Sequence, residues 1–310
     1  FIAGEAYGGV YAATLAEHLL EVADNGNVTW PPLRGLLVGN GCVGYEVGAC
    51  SIKERDKYEI PYLLQTAFLP ESLKGRLRAA CDFLVPSPYG ANCSEIIEEV
   101  YNTVGPLNMY DIYGPCDKSE SASGQRHKIP IPFPSGRGGP QPCVDSKLGS
   151  RYLNQGSVKT ALHVKTDLSW EWAICRTAES WSYVPTRANL PRDTYSKLVG
   201  RIGILIYNGD WDAAVPYTDS ESWTSEFAAS AGLVSQPWMP WFYGDGQIGG
   251  YRRDYNTASS SATFSFVIVK GGKHQVAVSA PRASQEMIEK FMGGSRPGTE
   301  RLRSFSSEES

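Results

Sequence analysis

Phe1-Ile-Ala-Gly-Glu-Ala-Tyr-Gly-Gly9 is the stretch from which the rest of the chain is read. Phe1-Ile2-Ala3 has the apolar character of a buried strand end, and Val10 to about Ala23 has the small and apolar spacing of a helix packed on a sheet. Gly4 and Gly8 stand two residues either side of position 6. Strand, tight turn and helix with that glycine spacing is the framework of the nucleophile elbow, G-x-S-x-G. Glycine is expected at both places because the turn is strained and side chains there would meet the neighbouring strand and helix. Position 6, where the elbow needs a serine hydroxyl, is Ala6. A methyl group cannot attack a carbonyl.

The 310 residues suffice for one large core, and the net charge of −4 argues against nucleic acid as the partner. No apolar run reaches the length of a membrane span. No signal peptide is visible either, but the chain opens in mid-strand, so further strands and a targeting signal are expected ahead of Phe1. Seven cysteines stand at 42, 50, 81, 93, 116, 143 and 175. They form no C-x-x-C and lie far from His18, His127 and His163, a spacing that argues against zinc; neither metal nor cofactor is expected. Sequons at Asn27 and Asn92, with the cysteines, point to glycosylation in an oxidising, secretory compartment.

Further along, Leu33 to Val38 reads as a buried strand running into Gly39-Asn-Gly41-Cys-Val-Gly44. That run matches G-x-G-x-x-G literally, but a dinucleotide fingerprint must open a helix, and Tyr45 to Cys50 does not continue as one; a loop at a strand's C-terminal end is expected. Residues 51–110 carry helical apolar spacing broken by Pro and Gly, and 117–142 are rich in Ser, Gly, Pro and Arg, an exposed mobile loop based on Cys116 and Cys143. Tyr152-Leu-Asn154 begins another helical segment, and Trp170, Trp172, Trp181 and Tyr183 are read as core. Ile202 to Tyr207 and Phe264 to Val269 are continuous apolar strands fit for the centre of a parallel sheet. The first ends at Asn208-Gly-Asp-Trp-Asp212, the second at Gly271-Gly-Lys-His274, and Pro281 to Met292 closes as a helix.

Elbow, Asp212 and His274 thus end three predicted strands, in the chain order nucleophile, acid, histidine. The histidine of such a set takes the nucleophile's proton, and the carboxylate fixes its tautomer and stabilises the imidazolium. At these residues the chain resembles the serine carboxypeptidases, a lysosomal, vacuolar and secreted family. The pattern G-E-S-Y-[AG]-G reads Gly4 to Gly9, L-x-G-x-x-V-G-N-G reads Leu33 to Gly41, and N-x-Y-D-I-Y reads Asn108 to Tyr113. Y-L-N…V…A-L-H-V falls at Tyr152 to Val164, G-D-x-D-x-x-V-P at Gly209 to Pro216, and G-x-G-H-x-V-P-x-x-x-P at Gly271 to Pro281.

The resemblance implies an α/β-hydrolase fold: a mostly parallel central sheet with a helical cap insertion and with N-terminal strands absent from this sequence. The division that follows is core over 1–44, helical cap over 45–165 including the loop 117–142, core again over 166–292, and a disordered tail over 293–310. By resemblance Asp212 is the triad acid, His274 the base, Asp210 a brace for the turn, and Tyr7 a backbone donor to the oxyanion hole. Glu5 is implied to bind the free C-terminal carboxylate of a peptide substrate, sharing a proton with a second acidic residue. A homodimer is an allowed assembly. The cysteines allow fifteen connectivities for six residues. The expected pairs are Cys42 with Cys50, Cys81 with Cys93 and Cys116 with Cys143, with the family counterpart of Cys175 bonded to a cysteine in the absent front portion.

The sequence also departs from the family. Ala6 removes the nucleophile, the W-x-N-G-G-P-G-C segment that supplies the other oxyanion donor is not in the sequence, Lys273 replaces a small residue and Ala277 replaces a proline. The chain as written is therefore expected to be an inactive serine-type carboxypeptidase. A natural pseudoenzyme acting as a binding or structural module, or a family acyltransferase, is the alternative.

Overall fold

The computed structural model describes residues 1–26, 32–85, 87–116, 143, 146–167, 170–174, 184–256 and 262–293. Asn27, Cys175, Trp181, Tyr183, the loop 117–142 and the tail from 294 onward lie outside them. Strands β1 (Ile2–Glu5), β2 (Gly35–Gly39), β3 (Gly203–Gly209), β4 (Val234–Ser235), β5 (Met239–Tyr243), β6 (Gln247–Asn256) and β7 (Phe264–Val269) form one sheet. Its order is β1-β2-β3-β7-β6-β4, with β5 paired to β6. The first four strands in that order run parallel, and β4, β5 and β6 add antiparallel pairs.

Apolar side chains of the central strands divide between two faces because successive residues point to opposite sides. Leu36, Val38, Ile204, Ile206, Phe264 and Phe266 pack with α1 (Gly8–Asp24), while Leu37, Leu205, Val267 and Val269 pack on the other side against Met287. Continuous apolar strands covered on both faces are what a parallel sheet requires.

A second apolar cluster is built from α2 (Arg55–Leu64), α3 (Glu71–Ala80) and α4 (Ala91–Val104), through Ile60, Leu63, Leu73, Leu77, Ile96 and Val100. The Cys81–Cys93 disulfide joins the end of α3 to α4, and Cys42–Cys50 and Cys116–Cys143 are also formed, as expected. Two short exposed helices, α5 (Lys147–Leu153) and α6 (Gly156–Ala161), follow. Asn154 then pins Trp172, accepting its N–H at 2.7 Å and donating to its carbonyl at 2.9 Å. The core reading fails at Trp170, which is 47 % exposed. A π-helical turn, Pro191–Tyr195, leads into α7 (Ser196–Leu198), and its Thr194 donates to buried Glu17 of α1, which also meets Lys197 and Arg187. α8 (Tyr217–Ser230) covers the α1 side of the sheet; α9 (Val276–Ser279) and α10 (Pro281–Met292) close the chain on the other.

No part of 217–263 was assigned from the sequence, yet it holds α8 and the β5–β6 hairpin. Gly244-Asp-Gly246 at its tip is a turn signal of the kind that joins antiparallel strands. Among the described residues no helix is long and apolar enough to cross a membrane.

Candidate active site

The C-terminal ends of β1, β2, β3 and β7 meet at one rim, where open α/β sheets place their loops. At the end of β1 the chain turns sharply and Ala6 sits at φ 55°, a left-handed conformation that alanine rarely adopts. The surroundings impose it. Ala6 N–H donates to Gly39 O at 3.0 Å, and Ala6 O accepts from Gly9 N–H at 3.0 Å and from Cys42 N–H at 2.9 Å. A Cβ on Gly4 would lie 2.2 Å from Gly8 O, which accounts for glycine there. The expectation for Gly8 is corrected: a Cβ there would meet nothing within 4 Å, and the close approach belongs to Gly9, whose Cβ would lie 2.8 Å from Val38. The elbow therefore keeps its backbone without its hydroxyl.

The loops after β3 and β7 approach through glycine: a Cβ on Gly209 would lie 2.2 Å from Gly272 O. That closeness brings Asp212 and His274 together, with His274 Nδ1 2.7 Å from Asp212 Oδ2. Asp212 is fully buried, and it also accepts Asn40 Nδ2 at 2.7 Å, Ala214 N–H at 2.9 Å and Val215 N–H at 3.3 Å. Four donors on one carboxyl group suit the ionised form, and an ionised carboxylate can only accept. Nδ1 of His274 therefore carries the proton and Nε2 is left as the acceptor. Burial pulls the imidazole's pKa down, but the charge and hydrogen bond of Asp212, with Glu5 adding to them, outweigh it and hold His274 above its usual value.

Asp210 does brace the turn: its Oδ1 accepts Gly271 N–H at 2.7 Å and its carbonyl accepts Tyr62 OH at 2.8 Å. Glu5 lies at the same rim, close enough to feel both His274 and Asp212, and its side chain hydrogen-bonds Gln275. Burial raises its pKa; the attractions of His274 and Gln275 do not reverse this. The hydrogen bond that Glu5 makes here is thus to an amide. Tyr7 caps the N-terminus of α1, where backbone N–H groups collect. Asn92 is exposed on α4, and Asn27 is not described.

Besides Gln275, sequence reasoning missed three contributors. Asn40, at φ 41°, is fully buried; besides its bond to Asp212, its Oδ1 accepts Gly209 N–H at 3.1 Å. Residues 109–112 thread between the acid and histidine loops: Met109 O accepts Ala213 and Ala214 N–H, and Tyr110 O accepts His274 N–H at 2.9 Å. The Tyr110 ring stands edge-on to the imidazole, with centroids 4.9 Å apart. Lys273, noted only as a departure, forms an ion pair with Asp111 at 2.6 Å. Asn40 and Tyr110 stood in quoted motifs, so position was legible and role was not. Among the described residues no His, Cys, Asp and Glu group is placed to hold a metal ion.

The chain covers 96 % of itself and 64 % of "Serine carboxypeptidase-like 20" of Arabidopsis thaliana at 27 % identity. Against "Serine carboxypeptidase 1" of Hordeum vulgare the identity is 24 %, over 96 % of this chain and 63 % of the relative. It therefore spans less than two thirds of the length of these curated relatives. A solved structure, Kex1(delta)p, a prohormone-processing carboxypeptidase from Saccharomyces cerevisiae, superposes with a TM-score of 0.54. That match covers 94 % of this chain and 61 % of the yeast one at 16 % identity, and shows that the fold is that of an α/β-hydrolase. The family model for serine carboxypeptidases matches residues 1–294, and the chain belongs to that family.

Proposed function

We propose that this chain carries the elbow, the acid and the base of a peptidase that removes C-terminal residues through an acyl-enzyme, in a form without its nucleophile. The observation that supports this best is the 2.7 Å Asp212–His274 hydrogen bond at the rim where Ala6 holds the elbow backbone. With a hydroxyl at position 6, His274 Nε2 would take its proton as the oxygen bonds to the scissile carbonyl carbon. The oxyanion would be met by the Tyr7 N–H and by a second donor from residues outside this sequence. Collapse would expel the amine with the proton from His274, and water would repeat the cycle to release the acid. Asp212 stays ionised throughout. Glu5, its pKa raised by burial, would hydrogen-bond the substrate's free carboxylate in its neutral form, which favours mildly acidic conditions.

Without the hydroxyl the chain would bind a peptide's C-terminal end and not cleave it, since losing a triad nucleophile costs on the order of 10⁶ in turnover. The test is Ala6→Ser in the full-length protein, treated with a serine-reactive phosphonate. Labelling at residue 6 and C-terminal trimming of peptides at acidic pH are the expected outcome. A folded Ser version that neither labels nor turns over would sink this reading and leave the second one, a natural pseudoenzyme that binds or scaffolds, which Ala6 itself favours. The three disulfides and the curated relatives fit a secretory-pathway protein. Secretion or delivery to a lysosome or vacuole is proposed, to be read by fractionation.

A further inference from the structure

Asn92-Cys-Ser94 is a sequon whose middle residue is a disulfide cysteine. Its three residues stand in the first turn of α4, with Cys93 buried and bonded to Cys81 at the end of α3. Asn92 and Ser94 are both exposed, so the folded chain has room for a glycan there. The conformation for adding one is missing. Transfer needs the Asn amide and the hydroxyl two residues on to converge on one enzyme site, which suits a surface loop. On a helix, residues two apart do not face each other. Ser94 is also tied down: its N–H donates to Gly90 O at 3.0 Å and its Oγ to Tyr89 O at 3.3 Å.

The disulfide is what holds this turn. α4 opens at Gly90 with no side-chain cap, and of residues 91–95 only Cys93 is buried. A helix of 14 residues is marginal on its own, and uncapped ends fray. Cys93 reaches the apolar cluster of Leu73, Leu77 and Ile96, and its bond to Cys81 anchors the turn there. Before that bond closes, 92–94 are free to extend; afterwards they are helix.

We propose that Asn92 carries an N-linked glycan added only while Cys93 is reduced, so that closure of Cys81–Cys93 sets the fraction of chains modified. Two reactions compete for one segment. In the first, Asn92 Nδ2 bonds to the anomeric carbon of a diphosphate-linked sugar donor. The bond from that carbon to the phosphate oxygen breaks, the diphosphate leaves, and the amide gives up a proton. In the second, the Cys81 and Cys93 thiols are oxidised to the disulfide while an oxidant disulfide is reduced to two thiols. The two cysteines are 12 positions apart, a short loop that closes at little entropic cost. A glycan on exposed Asn92 leaves the disulfide free to form, whereas closure first ends the chance of a glycan. The inference rests on the secretory-pathway reading and is independent of the peptidase one.

The test expresses the full-length protein in a eukaryotic cell and reads Asn92 occupancy by mass spectrometry. Cell-held and secreted chains are pooled, so no variant has to fold. Cys81→Ser keeps the sequon and removes the competing bond; the ratio of modified to bare chains should rise several-fold. A control, Cys42→Ser with Cys50→Ser, removes a disulfide outside α3 and α4 and should leave that ratio unchanged. A bare Asn92 in the Cys81→Ser variant, equal occupancy with and without Cys81, or an equal rise in the control would overturn the inference. Chains that reach the medium with Asn92 bare in both forms would do so and leave the secretory-pathway reading intact. Fractionation that finds no chain in that pathway would remove both.

Discussion

Asp212 and Asp219 sit either side of the start of α8, both fully buried, and they are opposites in every other respect. Asp212 is met by four donors: the imidazole of His274, the amide of Asn40 and two backbone N–H groups. Asp219 accepts one backbone N–H, from Ala49 at 2.8 Å, and its Oδ1 has no partner among the described residues. Burial pushes its pKa up to about 7; the Ala49 N–H pulls the other way, Glu54 and Glu226 add to the rise and Lys57 opposes it. Burial alone therefore does not decide whether a carboxyl keeps its charge. The donors gathered around it do, and here they are gathered at the rim.

The largest way to break this contrast is Asp212→Asn in an Ala6→Ser background. An amide offers His274 the wrong partner, and turnover should fall by about 10⁴ while binding persists. A loss of only a few-fold in kcat would mean that the pair does not act as a unit. Next comes Asn40→Ala, which takes donors from Asp212 and Val215 O and leaves Gly209 N–H without its acceptor. Such buried losses cost about 1–3 kcal/mol per group, so chemical denaturation should show roughly 2–3 kcal/mol less stability.

Asp219→Asn should act in the opposite direction. A folded-state pKa of about 7 against an ordinary value of 3.8 means that between those pH values the folded chain holds a proton the unfolded chain has released. Stability from this group is therefore full below about 4 and falls as pH rises to about 7. Replacing it should stabilise the protein by on the order of 1–2 kcal/mol at pH 8 and by little at pH 4, read as melting temperature against pH. A variant whose gain is equal at both pH values would remove the titration argument. The smallest effect belongs to Lys273→Met. Asp111 is largely buried but Lys273 is 42 % exposed, so the pair should be worth less than about 1 kcal/mol in denaturation, and a larger loss would show that solvent screens it poorly.

The sheet's parallel half was legible because its strands are continuous apolar runs, and the rim was legible because Ala6, Asp212 and His274 each end one. The β5–β6 hairpin was not. Its residues alternate among Trp, Tyr, Arg and Gly with several large side chains outward, and no period stood out. Met109 and Tyr110 stood in a motif without a role because they hold the acid and histidine loops through carbonyl oxygens, which no side-chain pattern reports. Gln275 escaped notice for a related reason: its contact with Glu5 crosses from the β7 loop to the elbow, a pairing only the folded sheet creates.

At one end of the strand order, β1 pairs with β2 and, among the described residues, with no other strand. Phe1, Tyr11 and Leu15 are exposed along the same strand and helix. Taken as these 310 residues alone, the chain thus presents an open strand beside exposed rings, a combination expected to recruit strands from other molecules. Concentrating the protein will expose that tendency before heat or denaturant does, and a lysine placed at Ala3 on the edge should raise the concentration it tolerates.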